Sequence, residues 1–144
     1  MGMIMWELTT GCKPFTNVEH DTDLIYEIID GKRPEITSDT PEYYANLMKR
    51  CWDSDPLIRP SISEIVNIVF SWLVIRDVVN KKFEQAEKRR TDLIQSMKLG
   101  PEFSEKPHPK AIFTSRALSS LIPKSISSSS FNMRQSIYCI ILIN

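Results

Sequence analysis

Leu47-Met48-Lys49-Arg50-Cys51-Trp52-Asp53-Ser54-Asp55-Pro56-Leu57-Ile58-Arg59-Pro60 is the stretch whose reading decides the fold. Its first part closes an amphipathic helix. Tyr44, Leu47, Met48 and Cys51 stand at i, i+3, i+4 and i+7, one face of a 3.6-residue period. The loop Asp53-Ser54-Asp55-Pro56 ends that helix. Just beyond it, Ser61 and Glu64 have capping-box spacing, in which each side chain satisfies a free N–H of a new first turn. Ile62, Ile65, Val66, Val69, Phe70 and Leu73 then form a helical stripe expected to face a core. Two helices joined by a short polar loop make this half of the chain all-α.

Upstream, the helix that ends at Cys51 is expected to start near Asp39-Thr40, either of which can cap it, with Pro41 in the first turn. A shorter helix over 20–30 carries Leu24, Ile25, Ile28 and Ile29 on one face and Gly31 as its terminator. Residues 1–10 read as the later part of a buried helix. Met1, Met3, Ile4, Met5, Trp6 and Leu8 surround one charge, Glu7, so nearly every face is apolar and needs protein against it. Gly11 suits a C-terminal stop, and Lys13-Pro14-Phe15 a turn. No N-cap precedes the first helix, so Met1 is expected to be an internal methionine of a longer protein.

In this order the segments resemble the lower lobe of a protein kinase. Met3-Ile4-Met5-Trp6-Glu7-Leu8, then Gly11 and Pro14-Phe15, is similar to the central helix of that lobe and the turn after it. Ile29-x-Gly31-x-Arg33-Pro34 resembles the end of the next helix. Cys51-Trp52, Asp55-Pro56 and Arg59-Pro60, all within ten residues, resemble the closing motif of tyrosine kinases and tyrosine-kinase-like Ser/Thr kinases. The resemblance covers residues 1 to about 73. It implies that Ile4 and Leu8 support the catalytic spine beneath adenine, that Arg59 pairs with the glutamate of an Ala-Pro-Glu motif, and that Trp52 packs in the lower lobe. Read without the family, Ile4, Leu8, Cys51 and Trp52 are core residues. Arg59 then reaches solvent, or pairs with Asp53 or Asp55, or belongs to an incomplete fold, the reading favoured here.

Phosphoryl transfer needs a phosphate-cradling backbone, groups that hold magnesium, a lysine and a base for the hydroxyl. The four glycines, at 2, 11, 31 and 100, are too far apart for G-x-G-x-x-G. No Asp-Phe-Gly occurs, and His20-Asp21 lacks the arginine of His-Arg-Asp. Thr40-Pro41-Glu42 has the look of an activation-segment end but follows the central helix, and reads as a helix start. The expectation is a kinase-family chain with no catalytic, cofactor-binding or metal residue of its own, and ATP and magnesium used by the intact parent. That parent phosphorylates protein Ser/Thr, or Tyr, in signalling. A second reading is a non-catalytic interaction module that docks protein partners on the helix at 20–30 and its neighbours.

Downstream the composition changes. Residues 1–80 carry 7 Lys+Arg against 13 Asp+Glu, and residues 81–144 carry 11 against 5. The domain-like part is placed at 1–76, a charged helical extension at 77–99 and a low-order Ser/Pro tail at 100–144, with Gly100-Pro101 as the stop. In the extension Lys81, Lys82, Lys88, Arg89, Arg90 and Lys98 alternate with Glu84, Glu87 and Asp92, which makes a solvated face rather than a nucleic-acid or membrane surface. Ser127 to Ser130, and Arg116 three before Ser119, are weak phosphorylation patterns. The apolar run 137–143 is too short to span a bilayer as a helix. Cys12, Cys51 and Cys139 are scattered and odd in number, which speaks against disulfides or zinc and for a reducing, cytoplasmic setting.

Overall fold

The computed structural model describes residues 1–96 and 107–114. Five helices follow one another: α1 (Gly2–Thr10), α2 (Thr22–Ile29), α3 (Glu42–Cys51), α4 (Ile62–Val74) and α5 (Arg76–Gln95), with no strand among the described residues. The all-α expectation holds. The Gly100-Pro101 stop, the serine patterns and the apolar run 137–143 lie outside the described residues.

Local chemistry sets most of the helix ends. Gly11 closes α1 at φ 69°, a left-handed conformation that glycine adopts without a Cβ penalty, and its N–H donates to the Glu7 carbonyl (2.8 Å). The Asp21 carboxylate caps α2 by accepting from the Leu24 N–H (3.0 Å). The capping box of α4 forms as expected: Ser61 N–H donates to Glu64 Oε2 (2.9 Å), and Glu64 N–H donates to Ser61 Oγ (3.2 Å). The Ser61 main-chain N–H above all, then the Ser61 hydroxyl and the Arg50 guanidinium, hold the Glu64 carboxyl below its ordinary value of 4.5. Ser61→Ala is expected to lower stability by about 1 kcal/mol, read from a urea midpoint. A carboxyl whose folded pKa is depressed stabilises the fold above its ordinary pKa and ceases to do so as the pH falls through the lowered one. The difference between wild type and Ser61→Ala therefore shrinks in acid, below pH 4.5.

Two expectations are corrected. Neither Asp39 nor Thr40 caps α3. Pro41 occupies the N-cap with no side-chain bond, and its carbonyl accepts the Ala45 N–H (2.9 Å). The Asp39 carboxylate is only 7% exposed and faces Arg90 at 3.8 Å, while the Thr40 hydroxyl bonds Thr37. Second, of the expected core stripe of α4 Ile65 packs on the core as expected, whereas Ile62, Val66, Val69, Phe70 and Leu73 are exposed. α4 is apolar on more than one line, and the line that packs is Ile65, Ile68 and Trp72. Within the tail, residues 107–114 lie against the turn between α1 and α2.

The core has two parts. Met5, Trp6, Leu47, Met48 and Cys51 pack α1 on α3, and Met3, Phe15, Leu24 and Ile28 pack α1 on α2 and the intervening turn. Trp52 touches both parts. α5 folds back along α3. Val79 is buried, Phe83 meets the Tyr43 ring edge-on at 5.8 Å, and Tyr43 in turn meets Trp72 at 5.1 Å. The solvated face expected for α5 is broken at Arg90, which reaches the Asp39 carboxylate.

Candidate functional site

The motif residues converge where α1 crosses α3. Trp6 is 2% exposed, and its indole N–H donates to the Glu35 carbonyl at 2.8 Å, fixing the 31–40 loop to the underside of α1. Cys51 is buried beside it, and burial, the largest influence, pushes its thiol pKa up. A thiol held protonated in this way is a packing group rather than a nucleophile. Glu7 pairs with Lys13 (2.8 Å) across the end of α1. Pro14 and Phe15 are both buried under the turn, and Pro34 is buried after the loop's first bend. Gly31 lies just past α2 at φ 107°.

The two motif arginines act on main-chain carbonyls. Arg33 Nε donates to Trp52 O (2.7 Å), and Arg33 Nη1 donates to Ile28 O (2.6 Å) and Lys32 O (2.7 Å). It thus closes the C-terminal ends of α2 and α3 with one fork, where carbonyl groups lack helical partners. Arg59 Nε donates to Asp53 O (2.7 Å), and Arg59 Nη2 donates to Ser54 O (3.2 Å). Of the readings left open for Arg59, pairing with residue 53 comes nearest, although the acceptor is the main chain and not the carboxylate. The Asp53 and Asp55 side chains serve the loop itself, accepting from the N–H groups of Asp55 (2.8 Å) and Leu57 (2.9 Å). Pro56 and Pro60 bracket that turn, half-buried.

Two expected core residues are corrected here. Ile4 is 41% exposed and Leu8 is 74% exposed, on the side of α1 turned away from Met3, Met5 and Trp6. Nothing among the described residues packs over Leu8. Trp52, also expected in the core, is half-buried between the two core parts. Three features carry weight that sequence reasoning did not assign: the Trp6–Glu35 bond, the Arg33 fork and Gly2. A Cβ at Gly2 lies 2.8 Å from both Met48 O and Trp52 Cβ, so α1 and α3 touch through a missing side chain. A glycine inside an apolar helix is the one sequence signal that marks such an approach.

The arrangement contains no nucleophile–base pair, and no group of three His, Cys, Asp or Glu side chains is positioned for a metal among the described residues. The described residues include no helix long and apolar enough to cross a membrane. What the geometry builds is a platform of packed helices whose ends and loops are tied by arginines, with apolar side chains exposed on α1 and α4. Residues 1–69 match the family model described as protein tyrosine and serine/threonine kinase.

Residues 1–69 are part of a protein kinase catalytic domain. The kinase segment is similar to human mitogen-activated protein kinase kinase kinase 7, 38% identical over 69 residues, which are 47% of this chain and 11% of that protein. It is also similar to the probable serine/threonine-protein kinase pats1 of Dictyostelium discoideum, 41% identical over 64 residues, covering 44% of this chain and 2% of that protein. A further probable serine/threonine-protein kinase of Dictyostelium discoideum matches at 28% over 99 residues, 67% of this chain and 6% of its own length. The kinase segment thus spans a small fraction of each of these relatives. No solved structure gives a significant match. The all-α fold, the order of the motifs and these relatives agree on a lower-lobe fragment of a protein kinase domain.

Proposed function

We propose that this chain forms the floor of a kinase catalytic domain and that the 144-residue polypeptide neither binds ATP nor transfers phosphate by itself. One observation carries the reading. The motif residues are all engaged in packing or in main-chain ties, while the apolar edge of α1 at Ile4 and Leu8 stands open. The resemblance places the spine beneath adenine at that edge, so its exposure supports a supporting rather than a catalytic role. The residues present do not fit ATP and magnesium: the chain offers no glycine-rich phosphate cradle, no Asp-Phe-Gly and no His-Arg-Asp. In the intact domain, other elements supply those groups, the acceptor is protein Ser/Thr or Tyr, the type is tyrosine-kinase-like and the role is in signalling. The buried thiol of Cys51 supports a cytoplasmic setting. Calorimetric titration of the 144-residue protein with ATP and magnesium is expected to give no saturable heat up to millimolar nucleotide. A micromolar dissociation constant overturns the reading.

A second reading, a non-catalytic interaction module, is favoured by a separate observation. The turn leading into α2 already holds a peptide segment from far along the chain, residues 107–114.

A further inference from the structure

The turn between α1 and α2 holds the main chain of residues 108–112, which itself turns tightly, Ala111 N–H donating to His108 O (2.8 Å). Phe15 is buried at φ 55°, a left-handed conformation uncommon for a bulky side chain. Its carbonyl lies 3.0 Å from His20 Nε2. On the other side of the ring, Nδ1 lies 2.9 Å from Ile112 O and 3.1 Å from Ile112 N, so the imidazole meets the main chain of the segment in either tautomer. On either side of the imidazole the main chains pair directly: His108 N–H donates to Thr16 O (2.8 Å), and His20 N–H donates to Lys110 O (3.2 Å). Main-chain bonds of this kind supply attachment without regard to side chains, as in strand addition.

Two side chains of the held segment are read individually. Lys110 Nζ sits 2.8 Å from Glu19 Oε1, and the hydrogen bond to Glu19, its charge and that of Asp21 all raise the lysine pKa. Being exposed, this pair contributes selectivity for a base more than affinity. The Phe113 ring meets the His20 ring edge-on, with centroids 5.0 Å apart and an interplanar angle of 82°. None of these contacts requires the bound segment to belong to the same chain.

We propose that the 15–21 turn is a docking site for a Lys-x-apolar-aromatic segment of a partner protein, entered through a tight turn, and that residues 107–113 occupy it in cis. The tether sets how strongly. A segment of the same chain competes for the site at an effective concentration taken as on the order of 1 mM. For an intrinsic dissociation constant of about 0.1 mM, the site is open about one-tenth of the time, and a competing peptide is weakened about elevenfold.

The test uses the full 144-residue chain, a second chain carrying Lys110→Ala and Phe113→Ala to vacate the site, and a fluorescent peptide of sequence His-Pro-Lys-Ala-Ile-Phe. Anisotropy is expected to show about tenfold tighter binding to the vacated chain than to the intact one. Adding Glu19→Lys to the vacated chain removes most of that binding, and a peptide with glutamate in place of lysine restores it. Equal affinity for the two chains, or no binding to the vacated one, overturns the proposal. The inference rests on the interaction-module reading, and sedimentation separates the two. A chain that sediments only as aggregate overturns both, whereas a folded monomer that takes the peptide equally in either form overturns the docking site alone.

Discussion

Trp6→Ala is expected to cost about 3–5 kcal/mol, the range for removing a buried large aromatic side chain. Trp6 is 2% exposed and packs with Met5, Leu47, Met48 and Cys51, so the space it vacates is bounded by rigid helices that collapse only partly. The indole N–H also ties the 31–40 loop through Glu35 O. Trp6→Phe separates the two contributions. It retains most of the ring volume and loses the donor, so its cost should fall to about 0.5–1.5 kcal/mol, the net worth of a hydrogen bond. A domain has only about 5–15 kcal/mol to lose. The alanine variant therefore unfolds at a far lower urea concentration than wild type, with the phenylalanine variant between them. Equal midpoints for the alanine variant and wild type contradict the packing described for α1.

Gly2→Ala is expected to destabilise even though alanine is the better helix former. The propensity gain is about 1 kcal/mol at most. Against it stands a Cβ placed 2.8 Å from Met48 O and 2.8 Å from Trp52 Cβ. Neither is the loose end of a flexible side chain, so α1 and α3 must move apart, and overpacking of this kind costs about 1–3 kcal/mol. Overpacking wins. Gly2→Val adds a branched side chain at the same point and is expected to cost more than Gly2→Ala. For a domain of this size each kcal/mol lowers the melting temperature by about 4–8 °C, so the order wild type, alanine, valine is readable in one thermal series. An alanine variant that melts above wild type contradicts the close approach.

The features legible in the sequence were those settled by neighbours along the chain. Ser61 and Glu64 cap α4 because a hydroxyl and a carboxylate three residues apart meet the same free N–H groups wherever the helix lies. Gly11 ends α1 because only its own φ is at issue. The features misread depend on partners distant in sequence. Asp39 had the composition of a cap, but Arg90, 51 residues later, competes for its carboxylate. On α4, Ile62, Val66, Val69, Phe70 and Leu73 formed as good a stripe as Ile65, Ile68 and Trp72. Which line turns inward is decided by where Tyr44 and Leu47 of α3 stand, and periodicity does not contain that information. Of the site, the Cys51-Trp52 to Arg59-Pro60 string identified the platform. The roles of its arginines became clear only when their acceptors proved to be main-chain carbonyls, which carry no sequence signal. Residues 107–114, with Pro107 and Pro109 and little apolar area, read as low order because their attachment comes from His20 and the carbonyl of Thr16.

Trp52 belongs to both halves of the core, packing against the cluster of Met3, Phe15, Leu24 and Ile28 and against that of Met5, Trp6, Leu47, Met48 and Cys51. Its carbonyl is also the acceptor for Arg33, which grips the end of α2. Loosening α2 therefore withdraws support from an indole that α3 needs, and loosening α3 does the same to α2. The two halves share one fate: amide protons in α2 and α3 exchange with solvent through the same opening event, and neither helix survives as a remnant once the other has gone.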